Sequence, residues 1–157
     1  MPHHSEAGFS ILEALIAATV FAVAVVSLVQ LVMHSAAQSL RTEMATVGVT
    51  LAQSKLEFLR ATPFAFDASG VRTEDAVLAL SPSDAHARDS PPYVEALDRV
   101  GALVPASTRG MYLRRWSITA LDGDADTRLL IVCVTAQGTR ASAAPASCVW
   151  SIRSRQP

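Results

Sequence analysis

Between Gly8 and Met33 the chain carries one charged side chain, Glu13, inside an otherwise apolar or small run, GFSILEALIAATVFAVAVVSLVQLVM. A carboxylate near a bilayer core costs on the order of 2.5–3.5 kcal/mol on insertion scales, so such an acid calls for a partner. An acid in the headgroup region at a helix start, where the helix dipole tolerates it, needs none. The residues alone leave both readings open. Three further sets of side chains bear on chemistry. Asp122, Asp124 and Asp126 in DGDADT have the alternate spacing that suits calcium, but the rest of an EF-hand loop, including its distal Glu, is missing, so a solvated hairpin turn accounts for them and they are a weak metal candidate only. Cys133 and Cys148 suit a disulfide if the chain is exported, and two buried thiols otherwise. His3, His4, His34 and His86 are scattered, with no metal-ligand spacing. Without a G-x-S-x-G string, a paired acid and base or a Gly-rich phosphate loop, the chain reads as non-enzymatic and free of cofactors.

The element that must position Glu13 is a helix. Ala14 to Met33 holds twenty residues with no charge, the polar ones being Thr19, Ser27 and Gln30. At about 1.5 Å per residue these cover a hydrocarbon core of roughly 30 Å. A cleavable secretory signal competes with this reading, helped by small residues near Ser35–Ala37. Its apolar core is usually only about 7–15 residues and follows a basic stretch, whereas residues 1–8 contain no Lys or Arg. The helical pattern continues beyond the span: Leu40, Met44, Val47, Leu51 and Phe58 recur at helical spacing, widened by Leu56 and Leu59. A single helix from about Phe9 to Ala61 is expected, roughly 80 Å long and ended by Pro63, because the residue before a proline is pushed out of the helical region. Residues 9–33 form its membrane half and 34–62 an amphipathic half that needs a domain to lie against.

That domain is 63–157. Short helices are expected around Thr73–Leu80, with Thr73 as cap, and around Pro92–Val100, with proline at the start. The last third reads as a three-stranded antiparallel sheet over 111–121, 128–137 and 147–153. If pairing follows residue sums of 281 and 249, Cys133 faces Cys148, Ile131 faces Trp150, Trp116 meets Cys133 and Ile118 meets Ile131. Tyr112, Trp116, Ile118, Leu129, Ile131, Cys133, Cys148, Trp150 and Ile152 then share one face, expected to pack on the helix. Opposed residues on antiparallel strands lie about 4.5–5.5 Å apart at Cα, within reach of a disulfide. The fold class is α+β: a long N-terminal helix with a small sheet packed on its C-terminal half. Net charge is −1, which argues for no nucleic-acid partner. Residues 61–108 hold seven acids and three arginines, while 109–157 hold seven arginines and three aspartates. The arginines at 109, 114, 115, 128, 140, 153 and 155 come from strands and loops alike and read as solvated surface rather than a DNA-binding stripe.

The N-terminal string resembles the type IV pilins and the pseudopilins of type II secretion. The likeness rests on Gly8, FSILE from Phe9 to Glu13, the apolar ALIAATVFAVAVV behind it, and LAQSKLEFLR at 51–60. It covers roughly residues 8–60. The resemblance implies a leader of residues 1–8, cut between Gly8 and Phe9 by a prepilin peptidase that also methylates the new amine of Phe9. It implies that Glu13 neutralises the amine of a neighbouring subunit, and that the soluble domain sits in the periplasm on a single inner-membrane pass before assembly. Partners implied are other pilin or pseudopilin subunits, the peptidase, the assembly machinery and membrane lipid. Two departures stand out: His3 and His4 occupy the leader where the family usually has Lys or Arg, and the apolar helix has no proline. The expected function is that of a minor type IV pilus subunit. The alternatives are a minor pseudopilin of type II secretion and, from another class, a single-pass anchored periplasmic binding domain.

Overall fold

The computed structural model describes residues 10–105, 110–121, 124–138 and 146–156. It shows an α+β fold with one long N-terminal helix followed by antiparallel sheets. The helix, α1, runs from Ile11 to Ala61. By internal contacts the chain divides into two compact units, one up to Leu40 and one from Arg41 onward.

In the second unit, α1 turns Gly48, Ala52, Leu56 and Leu59 inward. Leu40 and Phe58 are instead about half exposed, so the buried stripe is rotated from the one expected. It runs over small residues because the sheet approaches closely there. A Cβ added at Gly48 would lie 2.9 Å from Ser147 Oγ, and that hydroxyl donates to the carbonyl of Ala45 at 3.3 Å. The helix ends where expected, before Pro63. Thr62 Oγ1 and the Thr62 amide both donate to Phe58 O, and Arg153 donates to Leu59 O at 2.7 Å. Carbonyls that the last turn leaves without helical partners are thereby satisfied.

A two-stranded hairpin follows, β1 (Phe64–Phe66) with β2 (Arg72–Glu74). Thr73 therefore lies in a strand and caps nothing. Asp75 is the cap, accepting from the Val77 amide at 2.9 Å ahead of a 3-10 turn at Ala76–Leu78. The helix expected at 92–100 is also replaced by a strand, β3 (Val94–Leu97). Asp98 ends it by accepting from the amides of Val100 and Ala102, a turn that a helix through 98–102 would forbid.

The main sheet has four strands rather than three, in the order β3–β4–β5–β6, with β4 at Tyr112–Leu121, β5 at Asp124–Ala136 and β6 at Ser147–Ser154. Pairing of β5 with β6 is the expected one: Ile131 faces Trp150 and Cys133 faces Cys148. Pairing of β4 with β5 differs by one residue. Trp116 faces Val132 and Ile118 faces Leu130, not Cys133 and Ile131. The cause is an irregularity between Ala120 and Leu121, where β5 begins already at Asp124, inside the stretch expected to be a loop. A one-residue slip exchanges the faces of a strand. The helix-facing layer is consequently Tyr112, Trp116, Ile118, Leu130, Val132 and Val134, with Phe64, Leu78 and Leu97 completing the core. Leu129, Ile131, Cys133, Cys148, Trp150 and Ile152 are on the opposite face, where Trp150 is 68% and Ile152 51% exposed.

An ion cluster ties helix to sheet. Glu95 of β3 accepts from Lys55 of α1 at 2.7 Å and from Arg114 of β4. Arg114 also donates to Leu51 O, and the Lys55 ammonium sits 3.9 Å from the Trp116 ring centroid. Burial would push the Glu95 carboxyl up, but hydrogen bonds and charge from Lys55 and Arg114 outweigh it and hold it below its ordinary 4.5. Its ionised form is therefore favoured by folding: the contribution is full above the unfolded value and is lost as pH falls through the lower folded value. Glu95→Gln leaves two cations without a counter-charge and should lower stability by about 3 kcal/mol near neutral pH. In urea titrations the gap between wild type and E95Q should narrow as pH falls below the ordinary 4.5 of a glutamate; a gap independent of pH would refute this role.

Cys133 and Cys148 are joined in a disulfide, with Cα atoms 4.1 Å apart. The closed loop is short, and in the chain-entropy model such a link contributes about 3 kcal/mol. The Cys133→Ala/Cys148→Ala double variant should unfold at a correspondingly lower urea concentration while keeping its far-ultraviolet circular dichroism.

Candidate membrane and assembly segment

Ser10 starts α1. Its side-chain oxygen accepts from the Leu12 amide at 3.3 Å, and its carbonyl accepts from the amides of Glu13 and Ala14. Ser10 and Glu13 have the S-x-x-E spacing of a helix capping box, a signal present in the sequence that the reading centred on Glu13 passes over. Glu13 stands in the first helical turn, where the positive end of the helix dipole favours an acid. Its carboxylate has no ion-pair partner among the described residues. Gly8 and Phe9, assigned to leader cleavage and methylation, lie outside the described residues.

From Ser10 to Glu43 every residue is exposed. Among them Ile11 is 82%, Phe21 70% and Leu31 68% exposed. Contiguous apolar surface on this scale is foreign to soluble monomers and marks an interaction with lipid or protein. The segment is long and apolar enough to cross a membrane. Its hydroxyls suit that setting: Thr19 donates to Ile16 O and Ser27 to Val23 O, both at 2.8 Å. Each thus finds a partner on its own helix, as polar groups in lipid must. At the far end of the apolar run His34 bonds Gln38 at 2.9 Å. One long apolar N-terminal helix of this kind is compatible with a single-pass membrane anchor.

The remaining candidates resolve into structural roles. Asp126 pairs with Arg72 at 2.8 Å and Arg155 at 2.9 Å. Asp124 accepts from the Asp126 amide and the Thr127 hydroxyl. Hydrogen bonds, chiefly from Thr127 to Asp124 and from Arg72 to Asp126, hold both carboxyls below their ordinary range. Asp122 lies outside the described residues, and among the described residues no cluster of three metal-ligating side chains occurs. The described arginines of the basic third are engaged within the domain. Arg114 binds Glu95, Arg115 binds Asp89, Arg128 and Arg155 reach Glu74, and Arg153 holds the helix end. Arg109 and Arg140 lie outside the described residues. The geometry therefore brings Glu13 and the apolar helix together at one end of the chain, and sets the cysteine pair and the aspartates in the sheet domain.

Comparison with known proteins returns no matching family model, no similar curated protein and no similar solved structure.

The apolar segment is open to a direct check. Val23 is near the middle of the span, where an arginine costs about 3 kcal/mol of insertion free energy. Val23→Arg should move the chain from the carbonate-resistant membrane fraction toward the supernatant; unchanged retention would argue against a spanning helix.

Proposed function

We propose that this chain is a minor subunit of a type IV pilus, structural rather than catalytic, held in the inner membrane by the first half of α1 and then assembled into or priming the filament. The observation that carries the reading is a single helix, Ile11–Ala61, whose first half is predominantly apolar and exposed with one acid in its first turn, and whose second half is bound to a sheet. Supporting it is the spacing of Glu13 from Gly8. Cutting after Gly8 creates an ammonium on Phe9, a charge that is costly in an apolar filament core. Pairing it with the Glu13 carboxylate of a neighbour offsets both desolvation costs, and removing one partner of such a buried pair costs about 3–5 kcal/mol. The pairing also fixes axial stagger, since one register alone brings amine and acid together. The capping role of Ser10 is compatible with this, because it orders the first turn on which the acid is displayed.

Intact-mass measurement on membrane-extracted protein tests the processing step. The expected product lacks residues 1–8 and carries one methyl on Phe9; a full-length N-terminus in cells with an active prepilin peptidase would overturn the reading in favour of a simple anchored domain. Glu13→Ala tests the pairing separately. That variant should be inserted, folded and cut, yet be depleted from sheared filaments by roughly tenfold or more, as a loss of about 3 kcal/mol requires. Filament incorporation at the wild-type level would remove the role assigned to Glu13.

A further inference from the structure

The two halves of the disulfide are chemically unequal. Both cysteines lie on the sheet face turned away from the helix, but in different company. Cys133 is on an interior strand, 5% exposed, and its neighbour on the other side is Arg115 of β4. Cys148 is exposed on β6, the last strand of the sheet, with none beyond it among the described residues. Along that edge runs an open groove of about 600 Å³ whose lining includes Gln53, Glu57, Cys148 and Trp150.

Thiol–disulfide exchange proceeds by displacement: a thiolate attacks one sulfur and expels the other, and access and leaving-group stability decide which. The incoming thiolate must approach along the S–S axis from the side away from the leaving sulfur. For Cys148 that path comes from outside the β6 edge, through solvent. For Cys133 it crosses β4, where Arg115 is held in place by Asp89 at 2.7 Å. Charge acts in the same direction. Cross-strand neighbours have Cβ atoms about 4.5–5.5 Å apart, so a thiolate released at Cys133 forms beside the Arg115 side chain, and a nearby cation favours thiolate over thiol.

The geometry points to Cys148 as a site of reversible S-thiolation by small monothiols, with Cys133 as the leaving group. A bond forms between the incoming sulfur and Cys148 Sγ while the Cys133–Cys148 bond breaks, and its electron pair stays on Cys133 as a thiolate. The proton of the incoming thiol goes to solvent, and no net oxidation or reduction occurs. Return attack by Cys133 on Cys148 Sγ expels the small thiol and restores the original link. This assignment stands independently of the filament reading.

Native full-length protein in detergent, exposed to cysteamine, quenched with iodoacetamide and digested with trypsin, tests it. Cleavage after Arg128, Arg140 and Arg153 places the two cysteines on separate peptides, 129–140 and 141–153. The expected result is cysteamine on 141–153 and alkylated Cys133 on 129–140, in roughly tenfold or greater excess over the reverse. Equal labelling, or an excess on Cys133, would overturn the proposal. So would the absence of any adduct on folded protein under conditions where urea-denatured protein is labelled. Arg115→Leu should reduce the excess, and a ratio that does not move would overturn the role given to Arg115.

Discussion

The distance between α1 and the sheet is set by four residues, at 48, 52, 56 and 59, and the rest of the domain is arranged around it. Gly48 and Ala52 let β6 and β5 come close, while Leu56 and Leu59 fill the wider end. Close approach is what allows Lys55 to reach Glu95, Arg114 to reach the Leu51 carbonyl and Arg153 to reach the last turn of the helix. Apolar burial supplies the driving force without choosing a direction. The polar contacts are directional, and they fix how far the helix is rotated about its axis. The half-exposed Phe58 follows from this, since the rotation that buries Gly48 and Ala52 carries Phe58 outward.

Features governed by local chemistry were legible in the sequence. The long helix, its end before Pro63, and the β5–β6 pairing that brings Cys133 to Cys148 all follow from periodicity, proline and alternation. The cluster at Glu95 and the fourth strand were not legible. Val94–Leu97 is a short run of three apolar residues and Glu95 after two prolines, and helix or strand there is decided by a free edge on β4 rather than by the residues themselves. The β4–β5 register failed for a similar reason. Trp116 and Ile118 were correctly identified as core, but the pairing is irregular between Ala120 and Leu121, where no spacing in the sequence announces it, and one residue moved Cys133 and Trp150 to the outer face. In the N-terminal segment the lone acid was legible, whereas the cap formed by Ser10 is signalled only by a short S-x-x-E spacing that many non-helical stretches share.

The opposite charges of the two halves of the soluble domain also acquire a physical meaning. Acids between 67 and 98 and arginines between 114 and 155 pair across sequence distance, as in Arg115 with Asp89 and Arg155 with Glu74. Arg155 in addition lies 3.9 Å over the Phe64 ring, and its guanidinium donates to the carbonyls of Ala65 and Thr73. Segregated charge therefore acts as an internal complement, and the side chains that might have formed a basic stripe are largely consumed in it.

Arg155 and Gln156 have one more consequence. Gln156 exchanges backbone bonds with Phe64 and Phe66, so the hairpin that directly follows the helix is joined to residues some ninety positions later. Contacts of such sequence separation form late, because a long loop must close before they repay its entropy. During synthesis the helix and hairpin therefore emerge long before the segment that fastens them. Until residues 153–156 arrive, Phe64 lacks its nearest guanidinium, that of Arg155, and the last turn of α1 lacks Arg153. Closure of the hairpin and of the helix end thus waits on residues 153–156, and a product truncated before them would leave that aromatic surface open.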